Sequence, residues 1–134
     1  MAKLMRIEGI GSTQIKKLKT VGITTTEALL EKGATPQGRQ ELCQTTGIGE
    51  KQILRWVNLS DLFRIKGVGE EYSDLLEAAG IDSVPEMANR NPQNLHETLV
   101  TINQNKKLVR QVPSQTTIAN WVEHARNLPR IINY

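Results

Sequence analysis

Ser12 and Thr13 follow a glycine pair, Gly9 and Gly11, and precede Lys16, Lys17 and Lys19, a grouping whose chemistry is the holding of an anion. The first N–H groups of a helix carry the positive end of its dipole, and glycine lets a ligand approach the backbone closely. Hydroxyl and ammonium groups then add hydrogen bonds and charge. The same glycine, aliphatic, glycine triplet returns at Gly47, Ile48, Gly49 and again at Gly67, Val68, Gly69. The neighbours differ from copy to copy. Glu50, Lys51 and Arg55 follow the second, whereas Glu70, Glu71 and Asp74 follow the third. In every copy the first glycine suits the positive φ that a sharp helix reversal needs, and the middle aliphatic side chain can tuck between the two helices.

Catalytic chemistry has little to work with. His96 and His124 stand alone, and no H-x-x-x-H, C-x-x-C, phosphate-loop or G-x-S-x-G pattern occurs. Cys43 is the single cysteine, so no intrachain disulfide forms and a thiolate metal site lacks its partners. It is expected to be a small buried hydrophobe. The sequence therefore predicts no enzyme, no catalytic residue, no metal, no cofactor and no small-molecule substrate.

A chain of 134 residues with 38% hydrophobic content can bury one respectable core or two small ones in contact. Its 17 basic and 14 acidic residues give a formal charge of +3, which permits nucleic acid as a partner without requiring it. The whole excess lies in residues 1–62, with nine basic and six acidic residues, while residues 63–134 carry eight of each. No apolar run reaches the roughly 18 residues of a membrane span, and the start has no long apolar stretch of the kind a signal peptide carries. A soluble, cytoplasmic protein is expected.

The elements that would position these residues are short helices. Ser12 is expected to cap a helix over 13–21 that Gly22 ends, Thr25 or Thr26 to start one that Gly33 closes, and Thr35 with Pro36 to open one running to Gly47. Ile53, Trp56 and Val57 share helical spacing after the second triplet, and Ser60 is read as the cap of a further short helix, making five within about 65 residues. The second half repeats the plan. A displacement of 58 places Gly9–Gly11 on Gly67–Gly69 and Leu18 on Leu76, and a displacement of 65 places Trp56 on Trp121. An insertion near residues 103–111 accounts for the change. At the position matching the second triplet the chain reads Val112, Pro113, Ser114, so the fourth glycine turn is lost. The reading is an all-α, compact, duplicated bundle of short helices. Residues 1–62 form a first repeat with two glycine turns and residues 63–128 a second with one, packed on the first as a single globular unit. Residues 129–134 are a C-terminal tail, and Trp56 and Trp121 are equivalent core anchors.

The triplets resemble the tandem motifs of the helix-hairpin-helix superfamily. From "IEGIG" through "DLFRIKGVGEEYSDLLEAAGI" to "IANWVEHARNL", the chain resembles over residues 4–128 a duplicated helix-hairpin-helix family described as a domain of unknown function. Family hairpins often have proline before the first glycine, where this chain has Glu8 and Lys66. The resemblance implies that amides after the second glycine contact a nucleic acid phosphate with little base preference. Carried onto this sequence, the nucleic-acid-binding residues are Gly9, Gly11, Ser12, Thr13, Lys16 and Lys17 in the first hairpin, and Gly47, Gly49 and Lys51 in the second. The acidic third hairpin is expected to be a structural corner or a protein contact. Two functions are expected: weak binding of a DNA or RNA phosphate backbone, or docking on a larger protein complex as an adaptor. Lys106, Lys107 and Arg110, in the inserted segment, offer two readings, a second basic patch or a polar loop or helix end, and the second is preferred.

Overall fold

The computed structural model describes residues 3–7 and 9–134. Glu8, the departure from the hairpin pattern at the first triplet, and the side chain of Glu70 lie outside the described residues. The described chain is all-α. After a 3₁₀ turn at Leu4–Arg6 come α1 (Ser12–Thr20), α2 (Thr26–Lys32), α3 (Pro36–Thr46), α4 (Glu50–Leu62), α5 (Glu70–Ala78), α6 (Val84–Ala88), α7 (Pro92–Lys106) and α8 (Gln115–Asn127). A single isolated bridge, Lys3 with Thr25, is the extent of β pairing among the described residues. None of the described helices is long and apolar enough to cross a membrane.

Two compact units divide the chain: Met1–Asp61 together with Ile131–Tyr134, and Leu62–Arg130. In the first, Leu18, Leu29, Leu42, Ile53 and Trp56 are all buried. Each such side chain contributes about 1.5–3 kcal/mol by leaving water. Residues 131–134 return to this unit as a clasp. Ile132 is buried, Asn133 N–H donates to the Ala34 carbonyl at 2.7 Å, and Tyr134 Oη donates to Asn58 Oδ1 at 2.6 Å. Buried Arg39 completes it by donating to the carbonyls of Gly33 (2.8 Å) and Asn133 (2.9 Å), with its guanidinium 5.9 Å from the centre of the Tyr134 ring. In the second unit α8 packs on α6 and α7, and α7 on α5, around Leu75, Leu76, Met87, Leu99, Ile118 and Trp121.

Backbone hydrogen bonds recur between the units at the displacement read from the sequence. Ile23 N–H donates to Leu18 O at 3.0 Å and Ile81 N–H to Leu76 O at 2.9 Å, both around a glycine of positive φ, Gly22 and Gly80. Ile15 N–H reaches Gly11 O at 3.0 Å as Ser73 N–H reaches Gly69 O at 3.1 Å. Thr35 and Asn91 each cap a helix with proline in its first turn, their side chains accepting from Gly38 N–H (3.0 Å) and Asn94 N–H (3.1 Å).

Three expectations are corrected. Gly11, in extended conformation, takes the cap position of α1, so Ser12 is the first helical residue and its side chain does not cap. Ser60 starts no helix: its hydroxyl donates back to Trp56 O at 2.8 Å, and α4 continues to Leu62 because every residue from Trp56 onward is buried, leaving four α-helices up to residue 62. Cys43 is half-buried and free. Burial pushes its thiol pKa up, and the charge of Glu50 adds to this, so it stays protonated at neutral pH.

Candidate nucleic-acid interface

At the first corner Gly9 has φ +85° and Ile10 N–H donates to Ile7 O at 3.3 Å, which swings the chain into α1. The opening turn of α1 holds no acidic residue, and no side chain caps it. Ser12, Thr13, Lys16, Lys17 and Lys19 are all exposed. The lysine ammonium groups make no ion pair among the described residues. One group competes for the turn. The Gln14 carboxamide folds back over Gly11, its Oε1 2.5 Å from where a Cβ on that glycine would stand.

A residue from α4 joins this corner. The guanidinium of half-buried Arg55 lies over Gly9, its Nη1 3.1 Å from the place of a Gly9 Cβ. Lys51 stands four residues earlier on α4, and side chains at that spacing share one helix face. The second corner's cation and the first corner's backbone are thereby linked along α4. Sequence spacing had attached Arg55 to the second triplet alone; no local signal could place a residue 46 positions away over Gly9.

The second corner is open but mixed in charge. Gly47 has φ +74°, Gly47 and Gly49 are exposed, and a Cβ on either would meet nothing within 4 Å. Ile48 is buried, and its N–H donates to Thr46 Oγ1 at 3.2 Å. Lys51 is exposed, yet Glu50 occupies the first turn of α4, where it satisfies the helix dipole and opposes an incoming anion.

The third corner is closed by its own unit. Gly67 has φ +94°, and Trp121 Nε1 would stand 3.0 Å from a Cβ on it. Lys66 N–H donates to His124 Nδ1 at 3.0 Å, and the Tyr72 and Trp121 rings lie 5.4 Å apart at 56°. His124 thus serves as a backbone acceptor. Glu71 is exposed beside the corner.

Where a fourth glycine turn would fall, α7 is 15 residues long against 11 in α3, and a longer loop follows. Lys107 ends the helix in the left-handed region at φ 50° and ψ 49°. Asn103 then clamps the loop: its Nδ2 donates to Val109 O at 3.0 Å and its Oδ1 accepts from Val109 N–H at 3.0 Å. Ser114 starts α8 by accepting from Thr117 N–H at 3.1 Å. Among the described residues no group of three or more His, Cys, Asp or Glu side chains could hold a metal ion.

A family model described as "Domain of unknown function (DUF4332)" matches residues 8–128. No solved structure matches the chain.

Proposed function

The chain belongs to the family described as "Domain of unknown function (DUF4332)", and from that premise we propose that it is a non-enzymatic module that binds the phosphate backbone of nucleic acid without base preference. The observation that carries this reading is the first corner: an acid-free helix start with exposed lysines, over whose glycine Arg55 lies. A phosphate oxygen would accept from the opening amides of α1 and from the Ser12 and Thr13 hydroxyls. Lys16, Lys17 and Arg55 would supply charge, and Lys51 with the backbone of Gly47 and Gly49 would extend the contact. The resemblance of the triplets to helix-hairpin-helix motifs supports the same ligand. With two or three phosphates gripped, the affinity falls in the range of non-specific complexes, about 1–100 μM at physiological salt.

Fluorescence anisotropy with labelled duplex DNA over a salt series tests the reading. Binding that weakens as salt rises and is lost in Lys16→Glu/Lys17→Glu supports it. Absence of binding at low salt, or binding unchanged in the double variant, overturns it.

One observation favours a protein partner instead. Beside the 3₁₀ turn lies a cleft of about 440 Å³ lined by Leu4, Met5, Ile15 and Lys19, with Met5 68% exposed. An adaptor would seat an apolar side chain there. Under that reading Met5→Glu abolishes docking on a protein complex and leaves DNA affinity within error.

A further inference from the structure

The second unit has no net charge excess, but its charges are unevenly placed. The two longest stretches of the chain without Asp or Glu are residues 98–122 and residues 9–26, and each contains three Lys or Arg residues. The second of these is the α1 corner. In the first, all the cations fall at the joint where the glycine turn is lost: Lys106, Lys107 and Arg110, every one exposed. Their side chains make no hydrogen bond or ion pair among the described residues.

Two structural details separate this joint from an ordinary polar loop. Lys107 is the one non-glycine residue of positive φ among the described residues, at the place where α3 ends on Gly47. Glycine takes that backbone freely and a lysine takes it at a cost, so the joint holds a cation where relief of strain would select none. The loop beyond it is also fixed. Both backbone groups of Val109 are bound by Asn103, and the Val109 side chain is buried, so the backbone between Lys107 and Arg110 is held in place rather than left to wave in solvent. Lys106 in the last turn of α7 complements the helix dipole. Lys107, as the C-cap of α7, shares in that complement, whereas Arg110 lies beyond the helix end, where that explanation does not reach.

We propose that Lys107 and Arg110, with Lys106 beside them, form a second contact for nucleic acid phosphates, in the second unit. This rests on the nucleic acid reading of the first corner and gives the chain two separate grips on a backbone. A backbone already held in place loses less freedom on binding than a flexible loop, so the contact retains more of its charge attraction.

The test is anisotropy of a labelled DNA duplex over a salt series with the full chain. It compares wild type, Lys16→Gln/Lys17→Gln, and Lys107→Gly/Arg110→Gln, together with thermal melting of each. The expected loop variant melts higher than wild type, because glycine relieves the left-handed position. It also binds roughly tenfold more weakly per lost contact at low salt, with a log–log salt slope shallower by about 2. Loss of binding in the α1 variant with none in the loop variant overturns the second contact and leaves the first standing. No binding by wild type, or no effect of either variant, overturns both. Binding to phosphatidylserine vesicles with none to DNA assigns the loop to a lipid surface and also overturns the proposal.

Discussion

The first and third corners have the same backbone and different occupants. Gly9 and Gly67 both adopt positive φ, and Gly11 and Gly69 both accept the first bond of the helix that follows. Over Gly9 lies the charged end of Arg55; over Gly67 lies the Trp121 indole, with His124 taking the neighbouring N–H. A glycine turn is therefore not in itself a ligand site. The side chain that a later helix lays over it decides whether the corner is lined by a cation or sealed by an aromatic ring.

Removing the seal breaks the comparison most severely. Trp121→Ala empties a buried site against Tyr72 and is expected to cost about 3–5 kcal/mol in urea denaturation, while a first-corner contact keeps its dependence on Lys16 and Lys17 in whatever fraction stays folded. Next come the glycines themselves. Gly67→Ala meets both an unfavourable φ and the fixed indole, for an expected loss of about 2–3 kcal/mol. Gly9→Ala also meets a positive φ, but its neighbour is the guanidinium end of Arg55 rather than a buried ring, for about 1–2 kcal/mol. Equal losses for the two would show that Arg55 is as rigidly seated as Trp121. The smallest stability effect should have the opposite sign. Ser12→Glu puts a carboxylate into the acid-free first turn of α1 and stabilises the helix by about 0.3–1 kcal/mol. It should also weaken DNA binding several-fold in anisotropy. A stabler protein with undiminished affinity would move the contact away from α1.

Much of the fold is legible in the sequence because it is written locally. Thr25, Thr35 with Pro36, and the positive-φ glycines at 22 and 47 act on backbone within a few residues of themselves, and their roles were readable from residue type. Ser12 and Ser60 depart from the sequence expectation for a common reason: a serine's side chain can cap, or bond back one turn, or do neither. The choice is made by the backbone angles of its neighbours, here extended Gly11 in one case and a continuous buried helix in the other. The candidate site was legible only as its parts. Gly9, Ser12 and Lys16 are near in sequence, but Arg55 reaches Gly9 through the path of three intervening helices, and periodicity carries no information about that path. The lost fourth turn could be seen as an absence; its replacement, a side chain of α7 bonded to both backbone groups of Val109, has no sequence signature.

The clasp at residues 131–134 has a consequence for the order of events during synthesis. Ribosomes deliver the chain from its N-terminus, so Arg39 emerges long before Asn133, whose carbonyl accepts one of its hydrogen bonds, and before Ile132, which fills part of the same core. The unit begun first is thus the unit finished last. Until residues 131–134 emerge its guanidinium has one of these two carbonyl partners, the Gly33 oxygen, and the intervening residues 62–130 can complete their own core while the earlier unit still waits for its closing piece.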